Sequence, residues 1–266
     1  MRSFAHLTTI LLSLTLSITA FAANEELVSL HTRDGVEQKY ILIKPDSPQA
    51  AVILFAGGKG ALDLGGGLFG GVTINWGKNN FLVRTREQFA NHGLMVAVVD
   101  APGDKQGKKG MLGGFRSSSA HVTDIDAVIA DLRQRAAVPV WLVGTSRGTE
   151  SAANLAIHSG QNPHGLVLTS TMSEPNNKGT AVTEMAIDRI RIPTLIVAHR
   201  EDGCNKTPPE GAEQIRSGLS NAGKVEVLYV SGGQEQGDPC KAMSHHGFLG
   251  IEAEVVSAIA GFIKAN

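Results

Sequence analysis

Five continuous, β-branched apolar runs, at residues 51–56, 95–100, 138–144, 166–170 and 194–198, constrain this chain more than any other feature. A strand that is apolar at successive positions offers no polar face to water and must be covered on both sides. A sixth run of the same kind follows at 225–230. An earlier one, at 37–44, alternates enough to be an outer, half-exposed strand. Between the runs, residues 81–93, 119–136, 147–159 and 209–222 read as helices, and 252–265 closes the chain in the same pattern. Strand alternating with helix implies right-handed crossovers and a doubly wound, mostly parallel sheet with helices on both faces, an α/β fold.

The N-terminal residues set an expectation about compartment. Arg2 precedes an apolar run from 7 to 20, and Ala20-Phe21-Ala22 supplies the small residues at which a signal peptide is cut. The run is about 14 residues and is broken by Ser and Thr, short of the roughly 20 that cross a bilayer. The reading is a signal peptide at 1–22, followed by a single domain at 23–266. That domain would be periplasmic or secreted, with no stable membrane anchor after cleavage. A formal net charge of −1 leaves no electrostatic footprint for nucleic acid, so the expected partner is a small or neutral molecule.

In a sheet of this kind ligands sit beyond the carboxyl ends of the strands. The residues there are polar and Gly-rich: Gly57-Gly58-Lys59-Gly60 after the first central run, Asp100 to Asp104 after the second, Gly144-Thr145-Ser146-Arg147-Gly148 after the third, and His199-Arg200-Glu201-Asp202 after the fifth. The third fits the G-x-S-x-G nucleophile elbow, which holds a serine on a strained turn between a strand and a helix. Residues 138–143 read as the strand and 149–156 as the helix, so the required context is present. A serine hydroxyl is a poor nucleophile until a base takes its proton and a third group orients the base, so a histidine and an acid are needed downstream.

With these residues the chain resembles the α/β-hydrolase superfamily over nearly the whole domain, and it looks nearest to its compact, dienelactone-hydrolase-like serine hydrolases. The resemblance implies the order Ser, acid, His. Asp202 stands where such proteins place the acid, four residues past an apolar run, with Glu201 as the near rival and Asp188 and Asp238 as less suitable ones. His245-His246-Gly247-Phe248 matches the late loop that holds the base, and His246 is preferred over His245 because Gly-Phe follows it. Phe55-Ala56-Gly57-Gly58 is similar to the family's H-G-G-type loop, with Ala56 in place of the histidine. The oxyanion donors implied are the N–H groups of Arg147 and Gly58, with Gly57 and Lys59 beside them as alternatives or as substrate contacts.

Three arginines, Arg84, Arg116 and Arg147, fall near loop mouths. Arg84 is a candidate for binding an acidic substrate, although pairing with a nearby carboxylate such as Asp100 or Asp104 is the plainer expectation for all three. Cys204 and Cys240 are the only cysteines of a chain read as exported, and are expected to form a disulfide tying the acid loop to the base loop. The competing arrangement is a zinc site from Asp202, Cys204, Cys240, His245 and His246, whose irregular spacing matches no standard motif. No cofactor and no metal are expected. Only about 20 residues separate the runs at 166–170 and 194–198, too few for a large lid. The function expected is hydrolysis of an ester, with short-chain esters, lactones and a polymer surface as candidate substrates. The alternatives are an amidase or acyltransferase using the same triad, and an inactive exported binding protein on the same scaffold.

Overall fold

The computed structural model describes residues 24–67 and 71–266, so the expected signal peptide at 1–22 lies outside the described residues. The described residues form ten strands: β1 (Glu25–Arg33), β2 (Val36–Ile43), β3 (Ala50–Phe55), β4 (Leu64–Gly66), β5 (Val72–Ile74), β6 (Leu94–Val99), β7 (Val140–Thr145), β8 (Gly165–Thr169), β9 (Thr194–His199) and β10 (Val225–Val230). Eight form one sheet in the order β1-β2-β6-β3-β7-β8-β9-β10, and β4 and β5 form a separate small hairpin. The pairs from β6 outward to β10 are parallel, whereas β1–β2 and β2–β6 are antiparallel.

The apolar runs became the central strands for the reason given by their composition. Every residue of β3, β6, β7, β8 and β9 is buried. Side chains alternate between the two faces of a strand. Val52, Leu54, Trp141 and Val143 therefore join a core on one side, while Ala51, Ile53, Val140 and Leu142 join a second core on the other. The first is covered by α1 (Phe81–Arg84), α2 (Arg86–Asn91) and α6 (Glu252–Ala265), and the second by α3 (Ser119–Arg135), α4 (Gly148–His158) and α5 (Gly211–Gly218).

Three expectations need correction. The strand at 37–44 is not outermost, because β1 pairs along its whole length; β1 is polar on alternate residues and so lacks the continuous apolarity of its neighbours. The run at 225–230 is an edge strand with a half-exposed pattern rather than a fully covered one. The helix expected over 81–93 is broken at Thr85, whose hydroxyl and N–H both turn back to the carbonyl of Phe81. One further expectation holds. Between β8 and β9 the chain makes only short 3₁₀ turns, and no lid covers the sheet there.

The chain enters the sheet centre at β3, moves outward to β6, and then crosses back to the opposite side of β3 at β7. The crevice at this switch lies beyond the carboxyl ends of β3 and β7, which end at Phe55 and Thr145.

Candidate active site

Ser146 follows β7 directly and has φ = +52°, in the left-handed region that a residue with a side chain adopts only under constraint. The constraint is steric and comes from both flanks. A Cβ at Gly148 would lie 2.0 Å from the carbonyl oxygen of Phe55, and one at Gly144 would lie 2.6 Å from that of Gly148. Only glycine allows α4 to start this close to β3 and β7. The Ser146 N–H donates to Thr169 O at 3.0 Å, and both the Thr149 N–H and its hydroxyl donate to Ser146 O. The serine is thus presented at the switch crevice by backbone geometry.

The late loop brings a histidine to the same crevice. Nδ1 of His246 lies 3.0 Å from Oδ2 of Asp202, with both side chains nearly inaccessible to solvent. The other carboxylate oxygen accepts the Cys204 N–H at 2.9 Å. Asp202 is therefore oriented by its own loop, and its orientation fixes the ring. His246 and Ser146 line one cleft of about 590 Å³, together with Gly57, Gly58 and Trp76. Among the described residues the Ser146 hydroxyl makes no hydrogen bond. In a ligand-free hydrolase the serine–imidazole contact is commonly loose and tightens with substrate.

The rivals are placed elsewhere. His245 points away from the cleft, stacks on His199 with ring centroids 4.5 Å apart, and lies 3.3 Å from Glu235. Glu201 is exposed and accepts the Gly232 N–H. Asp188 is in the short turn before β9, at the opposite end of that strand from Asp202. Asp238 caps the Cys240 N–H on the base loop.

Arg147 begins α4, and its N–H and that of Gly58 have no acceptor among the described residues. A helix N-terminus and a loop after β3 converge on Ser146, which suits them to an oxyanion. The loop is stiffened from beneath by Arg116. Its guanidinium is buried and donates to Ala56 O at 2.9 Å, to Gly58 O at 3.4 Å and to Ser151 Oγ at 2.7 Å. Burial pushes Arg116 down to about 10, and the same burial, aided by the charge of Arg116, pushes the neighbouring His121 down to about 3.

Arg84 meets the expectation of a carboxylate partner, in Glu252, whereas Arg116 and Arg147 form no ion pair among the described residues and none of the three reaches Asp100 or Asp104. Asp100 instead accepts the N–H groups of Leu62, Leu64 and Ala101, anchoring the chain just past the glycine loop. Asp104 pairs with Arg33. Arg147 donates to Asn176 Oδ1 at 2.7 Å. Arg84, the candidate for an acidic substrate, does not line the cleft. Its donors are spent on Glu252 and on the carbonyls of Asn79, Ala242 and Gly247, so it clamps the base loop to α6. Gly57 and Lys59 do border the cleft, and Lys59 holds its ammonium 5.2 Å above the ring of Trp76.

Cys204 and Cys240 form the expected disulfide. The alternative zinc set is thereby dismantled, since both thiols are consumed and Asp202 and His246 engage each other. A different trio, His199, Glu201 and His245, brings its donor atoms within 4.8 Å of one another. Both ring nitrogens of His199 are already occupied, by Gly232 O at 2.8 Å and by the Glu201 N–H at 3.1 Å.

Three residues of the site were not anticipated. Thr207 places its hydroxyl 2.9 Å from Asp202 Oδ2 and 3.0 Å from His246 Nδ1, at the junction of acid and base. Ser170, itself at φ = +40°, donates to the carbonyl of His246 at 2.8 Å. Trp76, the one large hydrophobic side chain exposed among the described residues, stands over the cleft. A lone Thr, Ser or Trp in a loop carries no periodicity and no motif, so only the residue after β8, a strand-end serine, offered any signal.

Comparison with known proteins agrees with this fold. The family described as "Serine aminopeptidase, S33" matches residues 79–202, from the segment before α1 to the acid. No curated protein sequence matches the chain. Among solved structures, an esterase from Pyrococcus furiosus is 14% identical and covers 92% of each chain, with a TM-score of 0.64. A cold-adapted esterase from an Arctic intertidal metagenomic library is 15% identical, covering 89% of this chain and 93% of its own, with a TM-score of 0.59. An alpha-beta serine hydrolase homologue from Coxiella burnetii is 18% identical, covering 91% and 99%, with a TM-score of 0.57. With its mostly parallel sheet and its strained serine after β7, the chain has the α/β-hydrolase fold.

Proposed function

We propose that this protein is an exported ester hydrolase that works through an acyl-enzyme, with Ser146 as nucleophile, His246 as general base and Asp202 as the group that orients the base. The observation that carries this reading is the 3.0 Å contact of His246 Nδ1 with Asp202 Oδ2 at the back of a cleft that also holds the strained Ser146. With Nδ1–H directed at the carboxylate, the ring is held as the tautomer whose Nε2 lone pair is free. Nε2 takes the Ser146 proton as Oγ attacks the ester carbon, and the negative charge develops on the carbonyl oxygen, which the N–H groups of Arg147 and Gly58 stabilise. His246 then passes the proton to the departing alcohol. Water, deprotonated by the same nitrogen, attacks the acyl carbon and releases the acid, and Ser146 recovers its proton.

Esters are favoured over peptides with a free amino terminus because, among the described residues, no Asp or Glu lines the cleft to receive an ammonium group. The open site suits short acyl chains. Export is supported by the character of residues 1–22 and by the disulfide. The test is partitioning. Two esters of one acid with different alcohols, hydrolysed in the presence of added methanol, should give the same ratio of methyl ester to free acid. A ratio that follows the leaving alcohol, or no turnover of either ester, would reject the acyl-enzyme.

A further inference from the structure

The cleft has two arms that meet at Ser146, and their linings differ in charge. One arm contains His246, Phe81 and Met243 with two lysines, Lys78 and Lys241. The other, of about 550 Å³, is lined by Lys59, Lys108, Arg147, Lys178 and Lys206 beside the shared Lys241, with no Asp or Glu among the described residues. This concentration is not a reflection of composition, since the chain carries 24 Lys and Arg against 25 Asp and Glu. Arg147 feels the nearby carboxylate of Glu150 without forming an ion pair with it. Arg33, Arg84, Arg86, Arg135 and Arg216 all sit in ion pairs, whereas none of the six does among the described residues. Arg147 is held by the amide of Asn176, Lys59 by Gly107 O, and Lys206 lies 3.5 Å from Pro175 O, so these three cations face only uncharged acceptors. Asp238 is the acid of the adjoining loop, and its carboxylate is engaged with the Cys240 N–H.

Like charges gathered at a concave surface repel one another, and their field is focused into the cleft. Such an arrangement is relieved by an anion. The side of the cleft the anion occupies follows from the chemistry of the triad. The alcohol must leave next to the imidazole that protonates it, which assigns the His246 arm to the alcohol and the opposite arm to the acyl group. We propose that the substrate is an ester whose acyl half carries an anionic group, such as the half-ester of a dicarboxylic acid, with an uncharged alcohol half. This inference rests on the acyl-enzyme reading for its assignment of the two arms. In the reaction the Ser146 Oγ–acyl bond forms as the ester C–O bond breaks, and the anion stays among the lysines through acylation and hydrolysis. Trp76 borders both arms and supplies an apolar wall between them.

The experiment measures binding to the Ser146→Ala protein by calorimetry, so that it does not depend on turnover. Monoethyl adipate, ethyl hexanoate and 6-acetoxyhexanoate place a carboxylate in the acyl half, in neither half, and in the alcohol half. Monoethyl adipate should bind roughly tenfold more tightly than either of the others at low salt. The advantage should shrink at about 0.5 M salt and be lost in the Lys178→Glu, Lys206→Glu double variant. Equal affinity for monoethyl adipate and ethyl hexanoate, or no binding of monoethyl adipate by folded protein, overturns the anion site. Equal binding of the two charged ligands overturns its assignment to the acyl half. Failure of the partitioning test with the binding preference intact would reject the acyl-enzyme and leave the anion site standing.

Discussion

The serine and the histidine are held in place by different physics. Ser146 is positioned by main chain: a positive φ, two glycines forced by close approach, and backbone hydrogen bonds to Thr169 and Thr149. His246 is positioned by side chains brought from distant parts of the sequence, namely Asp202, Thr207, Ser170, Arg84 and a disulfide. Main-chain positioning is rigid but intolerant, because a single added methyl group collides with backbone that cannot move. Side-chain positioning is distributed, so each contact removed weakens the arrangement by a part.

Gly148→Ala should therefore have the largest effect. Its Cβ would meet the Phe55 carbonyl at 2.0 Å, and both partners are main chain in the sheet centre. The expected outcome is a loss of about 3 kcal/mol or more of stability and, in whatever folds, a fall in kcat of roughly a hundredfold as the oxyanion donors shift. Denaturant melts and single-ester kinetics check both, and near-normal values for the pair would refute the main-chain account.

The disulfide comes second and touches only the histidine half. Converting Cys204 and Cys240 together to Ser removes a link spanning 36 residues. By loop closure this costs about 3–4 kcal/mol, or on the order of 10 °C in Tm for a domain of this size. Hydrogen exchange should rise in the loops around Asp202 and His246 while the amides of β7 and α4 stay protected. Uniform loosening of both halves would erase the contrast.

Thr207→Val is expected to be the mildest. The change keeps the shape and removes one hydroxyl shared by acid and base, worth about 1–1.5 kcal/mol, so kcat should fall roughly tenfold with KM unchanged. Thr207→Ser should restore activity, since it returns the hydroxyl. A Ser variant as impaired as the Val variant would mean that Thr207 contributes packing alone.

The same division explains what could be read from the sequence. The central strands were visible because burial on both faces demands unbroken apolarity, and the nucleophile turn was visible because main-chain strain demands glycines at fixed spacing. Asp202 and His246 were reachable only through resemblance, since their pairing across 44 residues leaves no local mark. Thr207 and Trp76 were not reachable, because one side chain meeting another through space follows no period, and Ser170 was marked only by its place at a strand end. Arg84 was left between substrate contact and carboxylate pairing for a related reason. A loop arginine reads alike whether it faces substrate or neighbouring carbonyls, and only the position of Glu252 on α6 decides between them. The even overall charge likewise hid the cationic arm, whose lysines come from five separate stretches of chain.

The claim beneath all of this is that Ser146 is made nucleophilic by His246. The most direct measurement is the intact mass of the mature protein after a fluorophosphonate probe, with the modified peptide then identified. One adduct on Ser146 is predicted, absent from Ser146→Ala and formed far more slowly in His246→Ala. Folded wild-type protein that takes up no probe, or an adduct that persists in Ser146→Ala, would contradict it.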